Sequence, residues 1–557
     1  MPIILAELVE SATPDNAPGV FVPERSRAER YIALLIFVLS FLYLCLFRNY
    51  TWVDPDEGII LQGAQRILDG QVLYRDFFSF FTPGSYYFTA AVFRLFGDSL
   101  IVARTAVALI GAGYSPLTYL LARRVCSRQS SLLVTGLMSV TALPFRFLVV
   151  HNWDSTLWAC LALYCAVRLL ETPSYQWAFA AASFTSLTSL FEQSKGVGLL
   201  IGLGVGFVLV AFGGQQPTLF TRRQLLAVAS GLTWPFLATF LYFASQHALR
   251  PMVAGWFWPL QHYSAANRVP YGYDNLSDEM RQIVFHSGPI GVRALKILAF
   301  SPPIWIPILP LFALALVIRL AVRKVRGSLL SPEWSYYALV AAAIAGLLLS
   351  IIVVRVDHEH FFYLQPIFFL ILAWMMDGRN IRGPRFAQIA PVVGLCLTMS
   401  LLTMGGALLL RVHTGKTIAT RRGTVTTRPE DTVIEYVQAR VAPGEHILIY
   451  PYLSLYYYLT STYSPTRYEY YQPGMHTREQ LQEMLRDVST HPVRVVLYDP
   501  SFAEHAQKSW PNTPASAFAY DPLAGYIMRE YRKCTTLSSA TGWKFWFMVR
   551  KEMPCPQ

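Results

Sequence analysis

Long apolar runs dominate the first three-quarters of the chain. Eleven stretches are long enough to cross ~30 Å of hydrocarbon. They lie near 31–47, 100–121, 130–149, 154–170, 176–192, 196–213, 224–244, 302–321, 335–354, 360–376 and 387–410. Beyond 411 the pattern changes to mixed periods. A helical stretch at 430–441, an apolar run His446–Tyr450, an amphipathic stretch at 477–488, a β-rich Val493–Tyr498 and a final strand at Lys544–Val549 predict a small α/β domain. The fold class expected is therefore a polytopic α-helical membrane protein of about eleven spans with a small C-terminal α/β domain. The boundaries are 1–30 for an N-terminal segment, 31–411 for the membrane domain and 412–557 for the soluble domain.

Composition agrees with this pattern. Of 557 residues, 54% are apolar and only 14% charged, against about 25% charged in soluble domains; mean hydropathy is +0.37. Disorder, collagen and coiled coil are excluded. The net charge of +12 forms no basic stripe interleaved with aromatics, so no nucleic-acid partner is expected. Instead the basic residues mark one membrane side. Arg25, Arg27 and Arg30, then Arg123, Arg124 and Arg128, Arg222 and Arg223, Arg319 to Arg326, and Arg379 to Arg385 all fall on the same face if eleven spans are counted. The N-terminus is then cytoplasmic and 412–557 lies outside. The first span has neither a basic start nor a cleavage site and reads as an uncleaved anchor. Seven scattered cysteines form no metal motif, while Cys534 and Cys555, both in the outer domain, are candidates for a disulfide.

The other face collects carboxylates, imidazoles and a lysine from five loops. These are Asp54-Pro55-Asp56-Glu57, His151-Asn152-Trp153-Asp154, Glu192-Gln193-Ser194-Lys195, a long loop at 245–300 with Trp256, Trp258 and Tyr263, and Arg355-Val356-Asp357-His358-Glu359-His360. Three carboxylates within 54–57 repel one another unless a cation or donor stands near. The first external loop, 48–99, continues through Ala64, Ile67 and Leu68 at helical spacing and reads as an amphipathic segment on the membrane surface.

Within that loop, Pro55-Asp56-Glu57, a short helix, Gly70-Gln71-Val72-Leu73-Tyr74-Arg75-Asp76-Phe77, an aromatic segment from Pro83, Leu95-Phe96-Gly97 and an Arg-bearing second span resemble the membrane-embedded glycosyltransferases of the GT-C superfamily. That group includes the protein O-mannosyltransferases, lipid A aminoarabinose transferases and core galacturonosyl transferases. The resemblance implies a catalytic base at Asp56 beside Glu57, a second acid at Asp154, and a donor-phosphate contact at Lys195. It also matches His360, or alternatively His358, ahead of Tyr363-Leu364-Gln365-Pro366. Relatives often carry Lys-Pro in the first loop where this chain has Thr82-Pro83, so Arg75, Lys195 or Arg355 is expected to meet the phosphate.

His151, His358, His360 and Tyr263 are further substrate or metal contacts to consider. No cofactor is fixed by the sequence, and a divalent metal ion shared with Asp56 or Asp154 stays open. The expected partners are a polyprenyl-phosphate sugar donor, membrane lipid, and a lipid, polysaccharide or protein acceptor, at the outer face of a bacterial inner membrane. A transporter or flippase, and a non-catalytic envelope assembly protein, are the rival classes. Polar groups gathered at one face rather than at the midplane argue against transport.

Overall fold

A computed structural model describes residues 27–556 apart from 52, 214–220, 264–265, 275–281, 300, 302–304, 327–331 and 378–383. Most of the expected N-terminal segment 1–30 lies outside the described residues. The helices are α1 Arg27–Cys45, α2 Pro55–Leu68, α3 Gly84–Phe96, α4 Leu100–Ala122, α5 Arg128–Thr141, α6 His151–Glu171, α7 Tyr175–Phe191, α8 Gln193–Gly213, α9 Arg222–Ser245, α10 Leu249–Trp258, α11 Ile290–Ala299, α12 Leu309–Val325, α13 Pro332–Val354, α14 His358–Tyr363, α15 Gln365–Asp377 and α16 Pro384–His413.

Each of the eleven apolar stretches carries a helix. Among the described residues seven helices are long and apolar enough to cross a membrane: those within 27–45, 100–122, 193–211, 222–245, 306–323, 334–354 and 391–413. The chain is an integral membrane protein. One expected span is shorter than read: the stretch 130–149 is helical only to Thr141, then turns through a 3-10 segment Leu143–Arg146 into extended chain. Pro144 has no N–H to continue the helix, and the turn redirects Arg146 away from the apolar run.

Close packing of small residues sets the helix order. The α8 glycines Gly198 and Gly202 approach Gly346 and Ala342 of α13 so nearly that a Cβ on Gly198 would lie 2.3 Å from the Gly346 carbonyl oxygen. Small residues let helix backbones meet in this way in lipid. The consequence is local: the start of α8, with Lys195, stands beside the end of α13, with Ser350 and Val354.

After α16 come a hairpin β1 Lys416–Thr420 and β2 Gly423–Thr427, α17 Val433–Arg440, β3 Leu448–Tyr450, α18 Leu455–Leu459, α19 Arg478–Thr490, β4 Val495–Tyr498, α20 Phe502–Ser509, α21 Ala515–Ala519, α22 Pro522–Glu530, β5 Tyr531–Ser538 and β6 Lys544–Arg550. The sheet order is β3-β4-β6-β5, with β3 parallel to β4 and the other pairs antiparallel. Cys534 and Cys555 are disulfide-bonded.

The loop after the first helix departs from its expected place. Its α2 helix is amphipathic as read, but Glu57 through Arg66 are all buried, and part of the cover is the C-terminal domain. Ser454 Oγ donates to the Pro55 carbonyl at 3.1 Å, Gln62 to the Thr462 carbonyl at 3.3 Å, and Arg66 pairs with Glu469 at 3.4 Å. Tyr458 stacks on Phe93 with ring centroids 5.9 Å apart. A helix with one apolar face needs a partner, and here protein supplies it.

Candidate active site

The acidic run at 54–57 forms the N-terminus of α2. Asp54 is the N-cap and its carboxylate accepts from the Asp56 N–H at 2.9 Å; Pro55 fits the first turn, and Asp56 and Glu57 face the positive end of the helix dipole. The helix geometry sends the acids different ways. Glu57 points inward and is 0% exposed. Both of its oxygens meet the Arg104 guanidinium of α4, at 2.8 and 2.5 Å, and the Val149 N–H at 3.0 Å. Arg104 also reaches Thr51 Oγ1 at 3.0 Å and the carbonyls of Arg48 and Tyr50. This pair is an anchor between the second membrane helix and the first loop.

Asp56 points the other way. Its side chain is 46% accessible, with Arg146 and the acids that Arg146 also holds on its protein side. Arg146 holds it at 3.2 Å, holds Asp54 at 3.1 Å, and pairs with Glu359 of α14. Burial pushes the Asp56 carboxyl up to about 7. Asp54 and Glu359 add to the rise, while Arg146 and His360 oppose it. Burial and neighbouring acids likewise raise Glu359, against the pull of Arg146. A carboxyl poised near neutrality can take a proton and release it.

Beyond this cluster lies a second one at the head of α6. Lys195 is buried, and its ammonium donates to the Asn152 carbonyl at 2.8 Å, Ser155 Oγ at 2.7 Å and Thr156 Oγ1 at 3.1 Å, with Glu192 at 2.9 Å. Asp154 is buried and accepts from Ser85 Oγ of α3 at 2.5 Å. The His151 ring packs 4.3 Å from that of Phe81. A small cavity, with room for about one water molecule, is lined by Asn152, Glu192, Lys195, Ser350, His360 and Tyr363. His360 connects the two clusters: it borders this cavity, and the residue before it on α14, Glu359, pairs with Arg146.

Of the residues expected from sequence, Asp56, Glu57, Asp154, Lys195, His151 and His360 thus gather at one end of the helical bundle. Arg355 sits in the same wall, engaged by Asp357 and the Ser509 carbonyl. His358 is bound to the Tyr273 carbonyl through its backbone N–H at 2.9 Å. Arg75 stands apart on the outside of the first loop, paired with Asp76 at 2.8 Å and donating to the Gln246 carbonyl at 3.0 Å. The Tyr263 side chain lies outside the described residues. Among the described residues no group of three or more His, Cys, Asp and Glu is arranged to hold a metal ion.

Arg146, the centre of the acidic cluster, was not among the expected residues. It falls inside the apolar stretch 130–149, where it passes for part of a span. A charged residue two places after a proline within such a stretch is the signal that would have found it. Ser85 owes its place to Asp154, 69 positions away, and no local pattern marks it.

Residues 82–243 match the family described as dolichyl-phosphate-mannose-protein mannosyltransferase. In fold the chain is similar to ArnT from Cupriavidus metallidurans bound to undecaprenyl phosphate, with TM-score 0.51 and 13% identity over 95% of this chain and 99% of that one. The apo state of the same ArnT gives a TM-score of 0.45 at 14% identity, over 95% and 98%. The archaeal oligosaccharyltransferase AglB from Archaeoglobus fulgidus, in complex with an inhibitory peptide and a dolichol-phosphate, gives 0.45 at 12%, over 95% and 75%. No curated protein sequence matches. The resemblance to the GT-C superfamily drawn from the first loop holds at the level of the fold.

Proposed function

We propose that this GT-C-fold chain is a glycosyltransferase that moves a sugar from a polyprenyl-phosphate donor to an envelope acceptor at the external membrane face. The observation that carries the reading is the placement of Asp56, an accessible carboxylate held by Arg146 and raised toward neutrality by burial and then by Asp54, with Arg146 also pairing Glu359, the residue before His360 at the cavity that holds Lys195. A membrane-bound donor keeps its phosphate at the interface, which is where a site built from interhelical loops must lie. The similarity in fold to an ArnT seen with undecaprenyl phosphate supports a donor of that class.

In this reading the acceptor hydroxyl gives its proton to Asp56 as its oxygen attacks the anomeric carbon. The bond from that carbon to the phosphate oxygen breaks, and its electron pair leaves on the phosphate. Lys195 provides the positive partner for the leaving group. Single displacement inverts the anomeric centre. Glu57 acts as the anchor of α2 rather than in the chemistry, and Asp154 fixes α3 through Ser85. Arg146 holds Asp56 in its orientation.

Replacing Asp56 by Asn tests the assignment in protein that inserts and melts normally. Loss of transfer, read by mass spectrometry of the glycosylated acceptor, is expected; unchanged transfer overturns it. A lipid-linked sugar co-purifying with the protein would identify the donor.

A further inference from the structure

We propose that the C-terminal domain is part of the reaction site, because the Ser509 carbonyl fixes Arg355, Arg355 fixes Asp357, and Asp357 fixes His360 at the edge of the cavity. This rests on the functional reading above. Arg355 Nη2 donates to the Ser509 carbonyl at 2.7 Å, Nη1 reaches Asn267 Oδ1 at 3.4 Å, and Nε binds Asp357. The Ser509 carbonyl closes α20, an end where unpaired carbonyls carry partial negative charge. A guanidinium, with five donors in a rigid fork, is able to serve a helix end and a carboxylate together.

The other Asp357 oxygen accepts from His360 Nδ1 at 2.6 Å and from the His360 backbone N–H at 3.1 Å. A carboxylate at that distance requires the proton on Nδ1. Nε2 is then the atom left for exchange with the cavity, which the ring borders together with Lys195, Glu192 and Tyr363. Arg355 and Asp357 are 6% and 1% exposed, so neither is spread over the surface as a solvated charge would be. The titratable and charged groups around His360 are Asp357, Arg355, Glu359 and Tyr363 from its own segment, His151 from α6, Glu192 from the end of α7, Lys195 from α8 and Asp56 from α2. Burial lowers its affinity for a proton, but Asp357 and Glu192 outweigh this and raise it. The imidazole is thereby biased toward the cationic form beside the place where phosphate negative charge would develop.

Arg355 and Asp357 are positioning residues in this account, acting through His360. They tie a domain that carries no reactive motif of its own to the site. The test uses the full chain in lipid nanodiscs, with Asp357→Asn, Arg355→Ala and Arg355→Lys. Asp357→Asn and Arg355→Ala are expected to lower kcat by about 10–100-fold, the usual effect of losing an outer partner of a working histidine, with donor KM within twofold. Arg355→Lys keeps the charge but not the fork and recovers part of the loss.

A second readout is independent of transfer: diethyl pyrocarbonate modification of His360, followed by mass spectrometry against pH. Removing the Asp357 charge moves its midpoint to lower pH. Folded variants with wild-type kcat and an unmoved midpoint overturn the relay. If Asp357→Asn does not fold, Arg355→Ala and its partial recovery in Arg355→Lys carry the test through kcat, and wild-type kcat in folded Arg355→Ala overturns the relay. If transfer survives Asp56→Asn while the modification midpoint shifts as expected, the functional reading fails and the relay stands.

Discussion

Replacing Gly58 by alanine probes whether the C-terminal domain holds the Asp56 helix rigidly. Gly58 sits two residues after Asp56, and the backbone of α18 runs directly across it. A Cβ there would lie 2.1 Å from Leu455 N, 2.5 Å from Leu455 Cα and 2.6 Å from the Ser454 carbonyl carbon, whereas ordinary contacts begin at 3.4 Å, a shortfall of 1.3 Å. All three atoms are main chain, so no side chain can swing aside. Helix α2 is tied on its far side by the buried Glu57–Arg104 pair, and the Ser454–Pro55 hydrogen bond links the two backbones. The domain and α2 must therefore separate by roughly an ångström. Overpacking of this kind costs about 1–3 kcal/mol. A displacement near 1 Å at a reacting group costs up to about 100-fold in rate, because the base leaves hydrogen-bond reach of the acceptor hydroxyl. Thermal unfolding in detergent measures the first effect and the initial rate of transfer the second. Gly204→Ala is the control, since a Cβ there meets nothing within 4 Å, and it is expected to leave both unchanged or add slight stability. A Gly58→Ala protein with wild-type melting and a rate within threefold would refute the rigid contact.

Three further outcomes follow from the site. Glu57→Gln leaves the Arg104 charge buried without its partner, and a loss of about 3–5 kcal/mol is expected in thermal or denaturant unfolding; an unchanged melting curve contradicts the anchor. Asp56 must be ionised to act as a base, and burial, then Asp54, hold its carboxyl up at about 7 against Arg146, so kcat/KM should rise with pH through about 7. Glu359→Gln removes one of the acids that raise it and should shift that limb to lower pH; a limb that stays put or moves up argues against the cluster. Reducing the Cys534–Cys555 bond, which closes a separation of 21 residues, should destabilise the sheet by about 3 kcal/mol in the chain-entropy account, seen as a lower melting point with dithiothreitol and no change in site occupancy by donor.

Apolar periodicity made most of the helices legible, because a span needs about 20 apolar residues and little else resembles one. The C-terminal strands at 448–450, 495–498 and 544–550 fell at the apolar run 446–450, the β-rich 493–498 and the final strand read at 544–549, whereas β1, β2 and β5 carried no such signal. What periodicity leaves open is the identity of the partner. The α2 face through Ile67 was read correctly as amphipathic, but an apolar stripe says only that something covers it, and the cover came from residues near 455–469 rather than from lipid headgroups. The site divided similarly. Asp56 and Lys195 were visible because a charge beside a span stands out against its surroundings. Arg146 was hidden because Leu143, Phe145 and Phe147 around it prolong the apolar pattern past the true helix end. The Arg355–Asp357–His360 arrangement lies within six residues of sequence, yet its direction is set by Ser509, 154 positions away.

The contact between Ser454 and Pro55 joins residues 399 positions apart, and this fixes an order of events during synthesis. Translation proceeds at about 5–20 residues per second, so roughly 20–80 seconds separate the emergence of the Asp56 helix from that of its cover. Throughout that interval the part of α2 around Pro55, Gly58 and Gln62, which residues 454–462 cover, lacks its final partner. A nascent chain thus carries a partly covered α2, open to chaperones and to proteases, until residues 454–469 fold back over it. Maturation of the reaction site is then a late step, set by the arrival of the C-terminal domain rather than by insertion of the bundle.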